Sequence, residues 1–220
     1  MKRMNGIDRS IGKKSILGLM VALGAAAAGC AQDQPADTTA SDQAALSDDN
    51  GARLQARCPS DVPAALNPPA DATLAAVLPA RGVQIYTCAV PAAGGAPAWT
   101  LKAPHAVLGK EKDAQAIHFA GPSWQALDGS IVTATRVGSA AAPDGTSIPW
   151  LLLQGATHTG PGAFADVTWI QRLDTENGAA PATGCDDPHV GAQVLVAYAA
   201  DYFFYHPASA GERIQQCAAR

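Results

Sequence analysis

The chain has 220 residues, with 15 Lys and Arg against 19 Asp and Glu and a formal net charge of −4 at pH 7. Positions 1–29 hold five basic residues and one acidic residue, which leaves 10 basic and 18 acidic residues, a net charge of −8, for the rest. An acidic body argues against a nucleic-acid partner, because phosphate contacts require Lys and Arg.

The first segment, residues 1–29, has the features of a secretory signal peptide. Its basic start is followed by the apolar run SILGLMVALGAAAA at 15–28, which is shorter than the ~20 residues that a membrane-spanning helix needs. The run leads through Gly29 to Cys30, and this ending resembles a bacterial lipobox, in which the Cys is lipidated and becomes the new N-terminus. We therefore expect lipidation of Cys30. Ordinary cleavage at an A-x-A site, with a free Cys30, is the alternative.

The residues after Cys30 predict where the protein is held. Asp directly after the lipidated Cys is typical of inner-membrane lipoproteins, whereas this chain has Ala31. We therefore expect a protein of the cell envelope that is lipid-anchored at the outer membrane, with the membrane as its partner.

Residues 30–57 are rich in Asp, Ser, Thr, Gln and Ala, which predicts a disordered acidic tether. One domain, residues 58–220, follows.

Five cysteines stand at positions 30, 58, 88, 185 and 217. Lipidation of Cys30 leaves four, an even set for an oxidising compartment. Four cysteines allow three pairings, and the sequence does not choose among them. We favour Cys58–Cys217 with Cys88–Cys185, because the first bond would join the two ends of the domain, and domain termini often lie close together.

In chain order, residues 58–82 are predicted to be locally helical. Ser60-Asp61 provide a cap, and Asp71 precedes TLAAVL, a predicted helix of one to two turns that Pro79 and Gly82 end. Beyond Gly82, short runs of β-branched and aromatic residues between Gly and Pro predict strands. These are Val83–Cys88, Ala98–Lys102, Ala116–Phe119, Ser123–Leu127, Ser130–Val137, Trp150–Gly155, Val167–Asp174, Gln193–Tyr198 and Tyr202–Tyr205.

Two local patterns sharpen the fold prediction. Asp128-Gly129 lies between two predicted strands and is a hairpin signal, whose central residues favour positive φ. The run Trp150–Leu153 is continuously apolar, which predicts a strand that is buried on both faces. Repeated helical patterns of an α/β fold are absent. We therefore predict an all-β protein: a single β-sandwich or barrel-like domain of short antiparallel strands, with a short helical N-terminal segment.

The strongest candidates for catalysis are His118, Ser123 and Asp128, which lie within 11 residues. A His beside a carboxylate can act as a general base, and Ser can act as a nucleophile. The G-x-S-x-G nucleophile pattern is incomplete, because Gln125 occupies its last position. The Gly-Pro and Asp-Gly pairs of this stretch are also ordinary turn signals, and the structural interpretation is the stronger one.

Aromatic side chains are the candidates for ligand binding, because exposed rings stack on sugars and other flat molecules. The candidates are Trp124, Trp150, Tyr202 and Tyr205. The alternative is that these rings form the core, since each aromatic side chain buries ~150–250 Å² and the domain has few other large side chains.

Metal and cofactor sites lack support in the sequence. The five His residues show no H-x-H or H-E-x-x-H spacing, and the acidic run Asp186-Asp187-Pro188-His189 is better explained as a solvated turn. Phosphate-binding patterns such as G-x-x-x-x-G-K-[ST] and G-x-G-x-x-G are absent. We therefore expect no metal and no cofactor.

A family resemblance covers roughly residues 60–205. The chain resembles the domain-of-unknown-function 3455 family in Val83-Gln-Ile-Tyr-Thr-Cys88, Trp99-Thr-Leu-Lys-Ala-Pro104, His118-Phe-Ala-Gly-Pro-Ser-Trp124, Asp128-Gly-Ser130, Ile148-Pro-Trp-Leu-Leu152, Ile170-Gln-Arg-Leu-Asp-Thr175 and Gly184-Cys185. The resemblance implies a secreted or envelope domain of bacteria and fungi and brings no established activity. Asn177 is a departure, because similar sequences often have Gly at this position.

Two functional hypotheses follow. The first is a non-enzymatic binding or surface module of the envelope that holds a glycan or a small ligand on its aromatic side chains. The second is a hydrolase that uses His118 with Asp128. The absence of a complete catalytic motif favours the first hypothesis.

Overall fold

The computed structural model describes residues 58–59, 61–110, 112–211 and 215–217. The predicted signal peptide, Cys30 and the tether lie outside the described residues. Eight antiparallel strands make up one barrel-like sheet. They are β1 (Ala72–Ala89), β2 (Ala98–Lys110), β3 (Asp113–Phe119), β4 (Ser123–Ala126), β5 (Ile131–Ala140), β6 (Trp150–Thr159), β7 (Trp169–Asn177) and β8 (Gln193–Pro207).

The strands follow an up-and-down order. Each strand pairs with the next one in the sequence, and β8 returns to pair with β1 over the length of both strands. Two 3₁₀ turns, Ala64–Leu66 and Asp187–His189, are the helical elements of the described chain. The prediction of an all-β, barrel-like fold is confirmed. None of the helical elements in the described part has the length and apolar character needed to cross a membrane.

The helix predicted after Asp71 is wrong, because this segment is the first half of β1. Leu74 pairs with Tyr205 and Val77 pairs with Phe203, so the backbone groups of the segment belong to a ladder with β8. A helix of one or two turns is marginal by itself. The long-range pairing and the burial of Leu74 and Val77 against aromatic rings outweigh the local helix propensity. The helical part of the N-terminal segment is the 3₁₀ turn at Ala64–Leu66.

Other strands differ from prediction in length. The two predicted C-terminal strands are one strand, β8, because residues 199–201 contain no turn and stay paired with β1. The predicted hairpin between β4 and β5 is present, and Gly129 has φ +87°. Asp128 does not have a positive φ. The N–H of Gly129 donates to Ala126 O, so the turn is a type I turn with a glycine bulge.

The apolar core has two separate clusters. The inner cluster fills the barrel and includes Leu108, Trp124, Ile170, Tyr202 and Phe204. The outer cluster lies on the other face of β6, β7 and β8, under the N- and C-terminal segments; it includes Val62, Leu66, Trp150, Phe203 and Tyr205. The sheet is therefore buried on both faces here.

The apolar run of β6 shows how one strand serves both clusters. Leu153 packs in the inner cluster, whereas Trp150 and Leu152 pack in the outer cluster. All three are at most 6 % exposed. The prediction of a strand buried on both faces is confirmed.

Both favoured disulfides are present, Cys58–Cys217 and Cys88–Cys185. The first joins the two terminal segments that cover the outer cluster. Gln171, which is fully buried beneath them, donates to Leu66 O and Cys217 O and accepts a hydrogen bond from the Tyr205 hydroxyl. The terminal segments are thus bound to the barrel wall by a covalent bond and by satisfied polar groups.

Candidate functional site

A cavity of about 430 Å³ lies in the mouth of the barrel, at the end where β3 ends, β4 begins and β6 begins. Its wall is largely apolar, with a few polar side chains. The described residues that line it are Gln84, Tyr86, Leu101, Lys102, Ala103, Pro104, His118, Ala120, Gly121, Pro122, Trp124, Arg136, Ile148, Pro149, Leu151, Leu153, Arg172 and Tyr202. Cavities of this size and composition are typical of small-molecule sites.

His118 lies in the wall of this cavity and is 3 % exposed. Its Nδ1 is 2.8 Å from Ser123 O. Because a carbonyl oxygen only accepts, Nδ1 carries the proton and Nε2 carries the lone pair. Burial lowers the pKa of His118 to about 4; the bond to Ser123 opposes this shift, and the charge of Arg172 adds to it. His118 is therefore a neutral hydrogen-bond acceptor at pH 7.

Aromatic rings hold His118 in place. The Trp124 ring stacks on the imidazole with centroids 4.3 Å apart and planes 8° apart. Tyr202 meets both rings edge-on, with centroids 5.2 Å from His118 and 5.5 Å from Trp124. β3, β4 and β8 each contribute one ring, and residues 118 and 124 are directly paired across β3 and β4. The cluster forms a rigid wall of the cavity.

Arg172 places a permanent positive charge at the cavity. Its Nε and Nη2 groups donate to Pro149 O at 3.2 Å and 2.8 Å, which holds the guanidinium of this half-buried residue in position. Burial raises the pKa values of Tyr86 and Tyr202, and the charge of Arg172 opposes both shifts. The electrostatic effects on these two hydroxyls and on His118 indicate that Arg172 is close to all three.

Two buried donors in the cavity wall lack an acceptor among the described residues. They are Gln84 Nε2 and Trp124 Nε1, on side chains that are 2 % and 1 % exposed. A buried donor without a partner costs ~1–3 kcal/mol. A third such donor, Trp150 Nε1, belongs to the outer cluster.

The structure separates the predicted catalytic residues. Asp128 lies at the β4–β5 turn, where its Oδ1 accepts from Ser130 N and Oγ, and its Oδ2 accepts from Ala163 N. Asp128 is outside the cavity lining, and so is Ser123, which is buried and contributes its carbonyl to His118. His118 lies at the cavity without the two residues that were expected to act with it.

The four aromatic candidates fall into two pairs. Trp124 and Tyr202 line the cavity. Trp150 and Tyr205 pack in the outer cluster, and the Tyr205 hydroxyl bonds to Gln171 and to Cys217 N. All four are at most 3 % exposed, so the interpretation of these rings as core residues holds for each.

The acidic run near the second disulfide is an exposed turn. His189 Nδ1 contacts Asp186 Oδ1 across the 3₁₀ turn at Asp187–His189. No set of three or more His, Cys, Asp or Glu side chains in the described part has the arrangement of a metal site.

Sequence reasoning missed Gln84 and Arg172, two polar side chains of the cavity lining. Val83–Cys88 alternates apolar with polar residues, and this alternation correctly predicts a strand. In the structure the face that carries Gln84 and Tyr86 points inward, and Ile85 is paired with the exposed Leu195 on the outside. Arg172 shares the inward face with Ile170, two positions earlier. A charged residue in phase with buried apolar ones was the available signal.

Comparisons with known proteins agree with the family resemblance. The model of a family described as protein of unknown function (DUF3455) matches residues 69–206, more than half of the chain. Neither the curated proteins nor the solved structures contain a significant match. Of the residues discussed above, those that line the cavity all lie within the matched region.

Proposed function

We propose a function from the cavity itself, because this chain belongs to the DUF3455 family of proteins of unknown function. The barrel binds a small organic molecule in its mouth and does not transform it. The observation that carries this proposal is a cavity of about 430 Å³ whose wall is largely apolar and carries a few polar side chains. A cavity of this size and composition suits a small organic molecule.

A small molecule fits the cavity better than a glycan does. Sugar recognition by stacking needs an accessible ring face, whereas Trp124 and Tyr202 are each 1 % exposed. The exposed part of the lining includes an aliphatic side chain, Leu101, at 52 % exposure, beside Lys102 and Arg136. An apolar body would lie against such a wall.

The geometry supports binding over hydrolysis. A hydrolase of the expected kind needs a carboxylate that orients the imidazole and a nucleophile within reach of it. Both carboxylate oxygens of Asp128 accept hydrogen bonds from Ser130 and Ala163. The Nδ1–H group of His118 donates to the backbone carbonyl of Ser123 and is not available to a carboxylate. These contacts favour a role for His118 in the cavity wall over a role as a general base.

We also propose that a lipid on Cys30 holds the barrel at the outer membrane. The support is the basic start, the short apolar run and the small residues before Cys30. In this arrangement the tether separates the ligand-binding domain from the bilayer.

A neutral fluorescent probe tests the binding proposal. N-phenyl-1-naphthylamine has two ring systems and no charge, and its fluorescence rises in an apolar site. We expect it to bind the full chain that carries Cys30→Ala, a change that removes any acyl chain as a competing site. Ala103→Trp adds an indole to the cavity wall and should weaken binding about tenfold or more.

Ala197→Trp is the matched control, because Ala197 is exposed on β8 and outside the cavity lining. It should leave the affinity unchanged. Equal affinity in both Trp variants, or ester hydrolysis that His118→Ala abolishes, would overturn the proposal of a non-enzymatic cavity.

A further inference from the structure

The charges around the cavity have one sign. Lys102, Arg136 and Arg172 line it, and none of the described lining residues is Asp or Glu. The chain as a whole has four more acidic than basic residues, so this concentration of cations is unlike the rest of the molecule. A cleft lined by one sign of charge and low-dielectric walls attracts ions of the opposite sign.

The three cations occupy different depths. Lys102 and Arg136 are exposed, whereas Arg172 is half-buried and bonded to Pro149 O. A guanidinium has five N–H donors in a planar fork, which matches the oxygens of a carboxylate or a phosphate. The position of Arg172 is therefore suited to direct binding, and the two exposed cations are suited to attracting the ligand.

The neutral polar groups extend this preference. Gln84 Nε2 and Trp124 Nε1 are buried donors without an acceptor among the described residues. His118 is uncharged at neutral pH and adds no positive charge of its own. The cavity thus combines a fixed cation with uncharged polar side chains, an arrangement that complements an anionic head group.

The remainder of the wall is apolar. Leu101, Pro104, Ile148, Leu151 and Leu153 come from β2, β6 and the loop before β6. A free inorganic anion would leave this surface without a partner, whereas an apolar body attached to the anionic group would cover it.

We propose that the ligand is an organic anion, with an oxyanion head group bound by Arg172 and an apolar body held in the mouth of the barrel. This inference rests on the proposed binding function and adds its ligand class. Carboxylates and phosphate esters share the required head-group chemistry. The cations at the rim increase the rate at which such a ligand binds, and salt weakens this effect.

A pair of matched dyes tests the ligand class. 8-Anilinonaphthalene-1-sulfonate carries the same ring systems as N-phenyl-1-naphthylamine together with a sulfonate. We expect the full chain with Cys30→Ala to bind the anionic dye at least tenfold more tightly, because a hydrogen bond to a charged group is among the stronger ones in proteins. Arg172→Gln should remove this preference, so that the two dyes bind with about equal affinity.

A second variant covers the case in which Arg172→Gln fails to fold. Lys102→Gln with Arg136→Gln changes two exposed side chains, and it should slow association of the anionic dye about threefold or more at low salt. Arg81→Gln is the control, because Arg81 is an exposed strand residue outside the cavity lining.

Competition by 1-naphthylacetate, 1-naphthyl phosphate and 1-naphthylacetamide compares ligands that share a ring system and differ in their head groups. The two anions should displace the dye and the amide should not.

The outcomes distinguish the two proposals. Equal affinity for both dyes, with no effect of any cavity Arg or Lys variant, would overturn the proposal that the ligand is an organic anion. The proposal that the cavity binds a small molecule would remain. Failure of both dyes to respond to Ala103→Trp would overturn the binding function itself. Displacement by the amide as effective as that by the two anions also contradicts the anion proposal.

Discussion

His118 stays neutral across the physiological range, because burial lowers its pKa to about 4. The stacked Trp124 ring and the bond to Ser123 O hold the neutral tautomer in place. The charge of the cavity therefore comes from Arg172 and the two exposed cations, Lys102 and Arg136.

The lowered pKa of His118 predicts how stability depends on pH. The unfolded chain takes up the His proton below about pH 6.5, whereas the folded chain resists it down to about pH 4, so the unfolded state binds more protons between these values. The free energy of unfolding should fall as the pH falls through this window, by up to roughly 3 kcal/mol. Urea unfolding at pH 7.0, 6.0 and 5.0 measures the slope.

His118→Gln should flatten this slope, and His158→Gln provides the control because His158 is exposed. A slope that His118→Gln leaves unchanged would contradict the assignment of the buried proton acceptor.

Asn177 shows a second effect at the scale of one residue. Its φ is +57°, a left-handed conformation that Gly and Asn adopt more readily than other residues. Gly and Asn both adopt this conformation readily, so Asn177 is suited to the end of β7.

At the scale of elements, β1 decides the topology. Its first part pairs with β8 alone and its second part pairs with both β8 and β2. Pro79 lies just before the β2 pairing begins at Ala80, where the strand has one neighbour. This position tolerates the missing N–H of a proline.

Gly82 is required by the approach of β2 to β1. An added Cβ at this position would lie 2.1 Å from His105 O and 2.5 Å from Ala106 Cα, both of them backbone atoms that cannot turn away. Gly82→Ala should therefore lower the free energy of unfolding by about 3 kcal/mol, as measured by chemical denaturation.

Gly94→Ala is the comparison, because a Cβ there meets no atom within 4 Å and only the left-handed φ of +81° opposes it. The expected loss is about 1 kcal/mol. A loss at Gly82 no larger than the one at Gly94 would show that the two strands separate easily.

At the scale of the whole molecule, the two apolar clusters have different structural roles. The inner cluster fills the barrel and supplies part of the cavity wall, including Trp124 and Tyr202. The outer cluster lies under the chain ends, which Gln171 and the Cys58–Cys217 disulfide bind to the barrel wall. The terminal segments are thus held on the outside of the sheet, away from the residues that line the cavity.

The anchoring proposal also belongs to this scale. Cys30→Ala should move the protein from the membrane fraction to the soluble fraction and abolish labelling by a radioactive fatty acid, since the thiol is the acceptor of the lipid. Cys217→Ala is a suitable control, because that residue is in a disulfide and its loss should not affect labelling. Persistence of Cys30→Ala in the membrane fraction would contradict the lipid anchor.

Local patterns in the sequence determined the all-β class, most strand positions, the β4–β5 hairpin and the double burial of β6, because alternation, apolar runs and turn residues act over a few neighbours. The even cysteine count left three pairings open, and the expected closeness of the domain ends favoured the pairing that the structure contains. Only the tertiary structure decided that residues 72–78 form a strand, since pairing with a strand more than 100 residues away overrides the local helix propensity. It also decided the site. Strand register brought Gln84, His118 and Arg172 to one cavity and left Asp128 outside it, and register depends on contacts that no local pattern records.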